Sequence, residues 1–324
     1  MADVIDIEAD RDFALARGRA LLAAGFPIAV PTETVYGLAA DATNAQAIAR
    51  IYEAKVRPQF NPLICHVSDR AMAERLATFD PVSRRLTEAF WPGPLTIVLP
   101  LAEASPVHPL ATAGLETVGL RMPIGFTADL IEAFGRPLAA PSANTSGRVS
   151  PTRAAHVADD LGFLLPTILD GGPTGVGVES TIVKVVGDAV HLLRPGGVTA
   201  EAITEAIGLP VTRGEGASPA IQAPGMLASH YAPTANVRLN ATSVAPDETL
   251  LRFGQTPVEG EKSARAVLDL SAEGDLREAA ARLFDVLRAA DATGAKTIAV
   301  MPIPESGLGE AINDRLRRAA AERP

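Results

Sequence analysis

Phe26-Pro27-Ile28-Ala29-Val30-Pro31-Thr32-Glu33-Thr34-Val35-Tyr36-Gly37-Leu38 is the stretch that sets the fold class. Its first five residues read as a short buried strand, and hydroxyls, a carboxylate and a phenol crowd directly after it. Polar groups massed at a strand end suit ligand contacts at a sheet edge; a capped turn is the plainer alternative. Upstream, Asp10 can cap a helix that carries Phe13, Leu15, Leu21 and Leu22 and that Gly25 ends. Downstream, Asn44 caps an amphipathic segment with Ile48, Ile51 and Tyr52 on one side, ending near Lys55. Further strands are predicted at 63–67, 95–99, 118–121, 138–140, 167–169 and 181–186, with helices near 82–90, 128–134 and 152–161. The mixture predicts an α/β domain, without revealing its strand order.

The character changes over 211–236. Arg213-Gly214-Glu215-Gly216-Ala217-Ser218-Pro219 is polar and turn-forming, and a Pro224-Gly225 pair follows. This reads as an interdomain linker, although Ala223 to Pro233 is too varied for an inert spacer. Beyond it, strands at 249–253, 266–270 and 297–302 and helices at 275–290 and 309–321 suit a small Rossmann-like unit. The expected division is therefore a domain at 1–210, a linker at 211–236 and a smaller domain at 237–324. The 324 residues suffice for two cores.

The chain has 29 basic and 38 acidic residues, a formal net charge of −9. That argues against a surface built to grip nucleic acid, which must neutralise many phosphates, and leaves room for a local anion site. Cys65 is the single cysteine, so no intramolecular disulfide or cysteine-rich metal site can form. The acidic start, Met1-Ala2-Asp3-Val4-Ile5-Asp6, lacks the basic and apolar regions of a signal peptide. No apolar run approaches the ~20 residues of a membrane span, and a cytoplasmic location is the expectation.

Absent motifs narrow the chemistry. There is no Gly-x4-Gly-Lys-Ser/Thr loop, no paired-histidine metal spacing and no Gly-x-Ser-x-Gly elbow. Four constellations remain beside one another. Pro31 to Leu38 is the first. Lys55-Val56-Arg57-Pro58, with Asn61-Pro62, is the second: its cations can cap a helix end, while the prolines stiffen the segment as a triphosphate site requires. Ala139-Ala140-Pro141-Ser142-Ala143-Asn144-Thr145-Ser146-Gly147 is the third, able to present N–H groups and hydroxyls to phosphate or to form a plain Asx/Ser turn. Leu169 to Thr181 is the fourth, glycine-rich but without the Gly-x-Gly-x-x-Gly order; Leu193-Arg194-Pro195-Gly196 adds another arginine pinned by proline. Together they supply every part of a phosphate-handling pocket.

The set Pro31-Thr32-Glu33-Thr34-Val35-Tyr36-Gly37-Leu38, Lys55-x-Arg57, Ser142-x-Asn144 and Glu179-Ser180-Thr181 resembles the YrdC-like threonylcarbamoyl-AMP synthase family over residues 12–208. Pro224-Gly225-Met226 and Ser229-His230-Tyr231-Ala232-Pro233, with the smaller C-terminal unit, resemble that family's long two-domain form. The resemblance implies a twisted mixed-sheet domain followed by a Rossmann-like one. It implies a nucleotidyltransferase that makes L-threonylcarbamoyladenylate and pyrophosphate from L-threonine, bicarbonate or CO2, and ATP with Mg2+, for the tRNA modification t6A. By position, Lys55 and Arg57 would be catalytic and face the phosphates. Asn61, Thr117, Ser142, Asn144, Ser150, Arg194 and Tyr231 would join them around ATP. Thr34, His66, Arg121, Ala140 (through its backbone) and Ser180 would surround threonine, and the linker carrying Tyr231 would fold over the nucleotide as a lid. Two departures stand out. Gly37-Leu38-Ala39 replaces the Gly-Leu-Gly of many relatives, and Cys65 takes a place usually held by a branched aliphatic, where it reads as a small buried residue.

Under this resemblance the threonine amine attacks CO2, and the carbamate oxygen then attacks the α-phosphorus of ATP. No side-chain nucleophile is required, so positioning and electrostatics should carry the reaction. Arg121 is the candidate for the threonine carboxylate, which a guanidinium matches bidentately. Mg2+ has no obvious protein ligand and would be held by phosphates and water. The product would pass to a tRNA threonylcarbamoyl transferase, and weak tRNA binding is conceivable. The rival readings are a double-stranded RNA or tRNA binder without adenylylation, and a carbamoyl-transfer accessory domain.

Overall fold

The computed structural model describes residues 1–213 and 230–322. Residues 214–229 of the expected linker, with Pro224-Gly225-Met226 and Ser229, lie outside them.

The first unit opens with β1 (Asp3–Asp6), α1 (Arg11–Ala23), β2 (Ile28–Val30), β3 (Gly37–Asp41), α2 (Ala45–Lys55) and β4 (Ile64–His66). It continues through α3 (Arg70–Leu76), α4 (Pro81–Phe90), β5 (Leu95–Pro100), β6 (Thr117–Arg121), α5 (Phe126–Phe134) and β7 (Leu138–Ala139). Then come α6 (Ala154–Leu161), β8 (Thr167–Asp170), β9 (Thr181–Val186), β10 (Ala189–Arg194), α7 (Ala200–Ile207) and β11 (Val211–Arg213). The strands form one mixed sheet in the order β1-β8-β2-β3-β7-β4-β6-β5-β9-β10-β11. The second unit, β12 (Asn236–Arg238), β13 (Thr249–Phe253), β14 (Ala266–Ser271), α8 (Leu276–Ala292), β15 (Thr297–Val300) and α9 (Leu308–Ala320), has a four-stranded sheet in the order β12-β15-β13-β14. Every pairing in it is parallel, as a Rossmann-like unit demands.

Local chemistry explains the start of six of the nine described α-helices. Asp10, Asn44, Asp69, Asp80, Thr199 and Asp275 each accept a backbone N–H in the following turn. The apolar face of α1 differs from the expected one: Phe13 is exposed, and Ala14, Gly18, Leu21 and Leu22 face the core. The helix lies so close to its neighbours that a Cβ at Gly18 would come 3.1 Å from Leu130 Cδ1. Small residues are therefore what this face requires, and a phenylalanine there would not fit.

Strands β1, β3, β10, β11 and β12 and helices α3 and α7 were not among the expected elements. β1 and β11 are the sheet's edges, short and partly polar. β11 pairs with β10 in parallel, so the first sheet runs three residues into the expected linker.

The two units share an apolar cluster in which Val35, Val149, Val178 and Tyr231 pack with Ala280, Phe284 and Ile312. Gly177 marks the closest approach. Its φ is +76°, and an added Cβ would stand 2.3 Å from both the Ala280 carbonyl oxygen and Ala281 Cα of α8. Only glycine supplies both the left-handed backbone and the space.

Candidate functional site

The ends of several strands converge on one cavity lined by Thr34, Arg57, His66, Arg121, Ala140, Ser142, Ser180, Arg194 and Tyr231. Val35, Ile64, Pro141, Glu179 and His230 complete its wall. The sheet explains the convergence. β4 and β6 run parallel with His66 opposite Arg121, β7 pairs antiparallel with β4 and leads into Ala140, and Ser180 directly precedes β9. Arg194 ends β10 and donates to the Ser180 carbonyl at 2.8 Å and to its Oγ at 3.2 Å. Thr96 and Ser180 hydroxyls meet at 2.7 Å.

Arg121 is buried and paired with Glu33 at 2.8 Å, too obliquely for a hydrogen bond. Its Nε and Nη2 have no hydrogen-bond partner among the described residues. A buried guanidinium with unspent donors on a cavity wall is prepared for a carboxylate. Beside it, burial and then the Arg121 charge push the His66 imidazole down to about 3. His66 is therefore uncharged near neutrality and adds no second cation at this end.

The other end is denser in charge. Arg57 donates to the Asn61 carbonyl at 3.2 Å and the Pro62 carbonyl at 2.9 Å; burial lowers it to about 10, still protonated at neutral pH. Burial likewise lowers Arg194. Glu179 accepts from Ser150 Oγ at 2.6 Å and from Arg315 Nε of α9 at 2.9 Å. Although burial alone would raise it, Arg315 and then Arg194 hold its carboxyl below the usual range. Tyr231 takes a left-handed backbone with φ of 60°, costly for an aromatic residue. Its ring stacks on Phe284 with centroids 5.6 Å apart. His230 donates its N–H to the Arg318 carbonyl, Ala232 to Gly147, and Thr234 and Ala235 to Asp291, so this segment is tied to both units.

Lys55 is placed otherwise than expected. It does not line the cavity; its Nζ donates to the carbonyls of Ser142 and Asn144, each at 2.5 Å. Between Lys55 and Arg57, Val56 caps α2 in the left-handed region at φ 49°. Burial first, and Arg57 second, lower the Lys55 ammonium well below its ordinary value. Lys55 thus shapes the 142–147 loop from behind, and the Ser146 N–H returns a bond to its carbonyl at 2.8 Å.

Asn61 and Asn144 are buried off the cavity wall, each with an Oδ1 that has no hydrogen-bond partner among the described residues. Ser150 reaches the cavity through Glu179, and Thr117 sits on a neighbouring small cleft with Thr96 and Ile64. The residues that sequence reasoning gave no role are Glu33, Glu179, His230 and Arg315. The first three stand inside quoted motifs. Arg315 falls in the apolar stripe of α9 between Ala311, Ile312, Leu316 and Ala319, a position where a cation is unexpected unless paired.

A family model for Sua5, YciO and YrdC proteins, described as telomere recombination, matches residues 20–196. A second, described as the threonylcarbamoyl-AMP synthase C-terminal domain, matches 198–321. The threonylcarbamoyl-AMP synthase of Bacillus subtilis is 42% identical across 99% of this chain and 97% of its own length. That of Pyrococcus abyssi is 42% identical over 93% of this chain and 94% of its own. Among solved structures, P. abyssi Sua5 complexed with L-threonine superposes with a TM-score of 0.86 at 36% identity, covering 99% of this chain and 97% of that one.

Proposed function

Since the chain belongs to the Sua5, YciO and YrdC family, in the two-domain form of the threonylcarbamoyl-AMP synthases, we propose that it condenses L-threonine, CO2 or bicarbonate and ATP into L-threonylcarbamoyladenylate and pyrophosphate, for t6A formation in tRNA. The observation that carries this reading is a cavity with three buried arginines, of which Arg121 keeps donors unspent.

Arg121 takes the threonine carboxylate, and neutral His66, Thr34 and Ser180 surround the rest of the amino acid. The threonine amine adds to CO2 and gives up a proton, forming a carbamate. Its oxygen attacks the α-phosphorus as the bond to pyrophosphate breaks. Arg57 and Arg194 meet the charge on the phosphates, each charge-assisted bond contributing about 1.5–3 kcal/mol, while the Ser142 loop, braced by Lys55, lines the wall between. Tyr231 closes over the nucleotide from the second unit's side. Mg2+ arrives with ATP as part of the substrate, neutralising phosphate charge; among the described residues no group of three His, Cys, Asp or Glu could hold a metal ion.

No described helix is long and apolar enough to cross a membrane; separately, the proposed reaction calls for cytoplasmic work and hand-off of the adenylate to a tRNA threonylcarbamoyl transferase. The RNA-binding alternative is disfavoured by ion pairs that occupy surface arginines, among them Arg70 with Glu88 and Arg153 with Asp285. The test is pyrophosphate release from ATP, bicarbonate and Mg2+ with L-threonine, L-serine, L-valine or no amino acid. Threonine-dependent release is expected. Equal release in all four from folded protein that binds ATP would overturn the reading.

A further inference from the structure

Arg315 has no exposed surface although it belongs to the C-terminal unit and most of its polar partners belong to the other one. Its Nε donates to Glu179 at 2.9 Å, and its Nη1 to the Pro195 carbonyl at 2.7 Å and to Asp314 at 2.8 Å. Its guanidinium carbon lies 5.3 Å from the centroid of the Tyr231 ring. Glu179 in turn holds Ser150, and Pro195 is the immediate neighbour of Arg194. Three parts of the expected nucleotide wall, Ser150, Arg194 and Tyr231, are therefore each one step from a single guanidinium. Ser180, the neighbour of Glu179 that accepts from Arg194, is reached in the same way; no such link to Arg121 or His66 occurs among the described residues.

A plain interface staple would not need this position. The units already hold together through their shared apolar cluster, the Arg153–Asp285 and Arg213–Glu310 pairs and the Arg288 bond to the Val149 carbonyl. Burying a guanidinium completely is costly unless it is fully compensated, and Arg315 keeps an Nη2 without a hydrogen-bond partner among the described residues. We propose that Arg315 is a positioning residue through which the C-terminal unit sets the geometry of the nucleotide half of the cavity, leaving the Arg121 and His66 end of the amino-acid half untouched. This rests on the function proposed above.

The test compares the wild type with Arg315→Lys and Arg315→Gln, measuring dissociation constants for ATP with Mg2+ and, separately, for L-threonine by calorimetry. Lysine keeps the charge but cannot span Glu179 and Pro195 as the planar fork does. ATP affinity should fall about tenfold or more in Arg315→Gln and by less in Arg315→Lys, with KM for ATP rising in parallel, while threonine affinity stays within about twofold, a selective loss of about 1.4 kcal/mol or more. Unchanged ATP affinity in both folded variants would overturn the inference, as would parallel weakening of both ligands. Failure of both to fold would also overturn it, because Arg315 would then only hold the units together. Wild-type protein that binds threonine but not ATP would instead overturn the proposed function.

Discussion

Acidification from pH 7 to pH 5 should remove roughly 4 kcal/mol of folding free energy through two histidines. His66 is 2% and His230 8% exposed, and burial pushes both imidazoles down to about 3. In the unfolded chain each ring takes up a proton below about 6.5. In the folded protein neither does so until far lower pH. The unfolded state thus binds more protons across this window, so stability rises with pH and is lost on acidification. From 6.5 to 5 each ring contributes about 1.5 units at about 1.4 kcal/mol per unit, or roughly 2 kcal/mol. Glu179 acts with the same sign but in a lower window. Its lowered pKa stabilises above its ordinary value of 4.5 and is lost only as the pH falls further, so it is silent here. His156 and Lys55, both lowered, act with the same sign as the two histidines. Urea unfolding at pH 7 and pH 5, followed by circular dichroism, measures the loss. A His66→Asn/His230→Asn variant should show a pH dependence smaller by roughly 4 kcal/mol; an equally steep dependence in that variant would refute the reasoning.

Gly177→Ala should destabilise the protein by about 2–5 kcal/mol, combining overpacking against α8 with a left-handed alanine; thermal melting tests it. Arg121→Gln should raise the KM for threonine by about tenfold or more while leaving ATP affinity near wild type, which steady-state kinetics and calorimetry can separate. Lys55→Ala should abolish most adenylate formation and also lower stability by about 2–4 kcal/mol, because it strands the Ser142 and Asn144 carbonyls; a variant that is inactive yet as stable as wild type would return Lys55 to the phosphates. Val56→Asn should stabilise by about 1 kcal/mol, since Val56 is 76% exposed and holds a β-branched side chain in the left-handed region; denaturant midpoints decide it.

What could be read from the chain, and what could not, follows from the distance over which each feature is determined. The N-caps at Asp10 and Asn44 and the buried runs of β4, β5 and β9 are written within a few neighbouring residues. The cavity residues Thr34, His66, Arg121 and Ser180 are legible through the family resemblance; their local trace is only that they are polar residues near the margins of short apolar strands, where a sheet gathers strand ends whatever its order. Lys55 and Arg57 show where this logic stops. Two cations with one residue between them suggest one shared task, and a left-handed valine, which propensity argues against, separates them. Phe13 fails similarly, because the closeness of α1 to its neighbours is a property of the packed unit and not of the helix. Arg315 is the extreme: its partner Glu179 is 136 residues away, in another unit. The local trace it left was a charge inside an apolar stripe. Such a charge identifies a residue that must find its counter-ion across an interface, and it names the helix face on which to look even when the partner is unreadable.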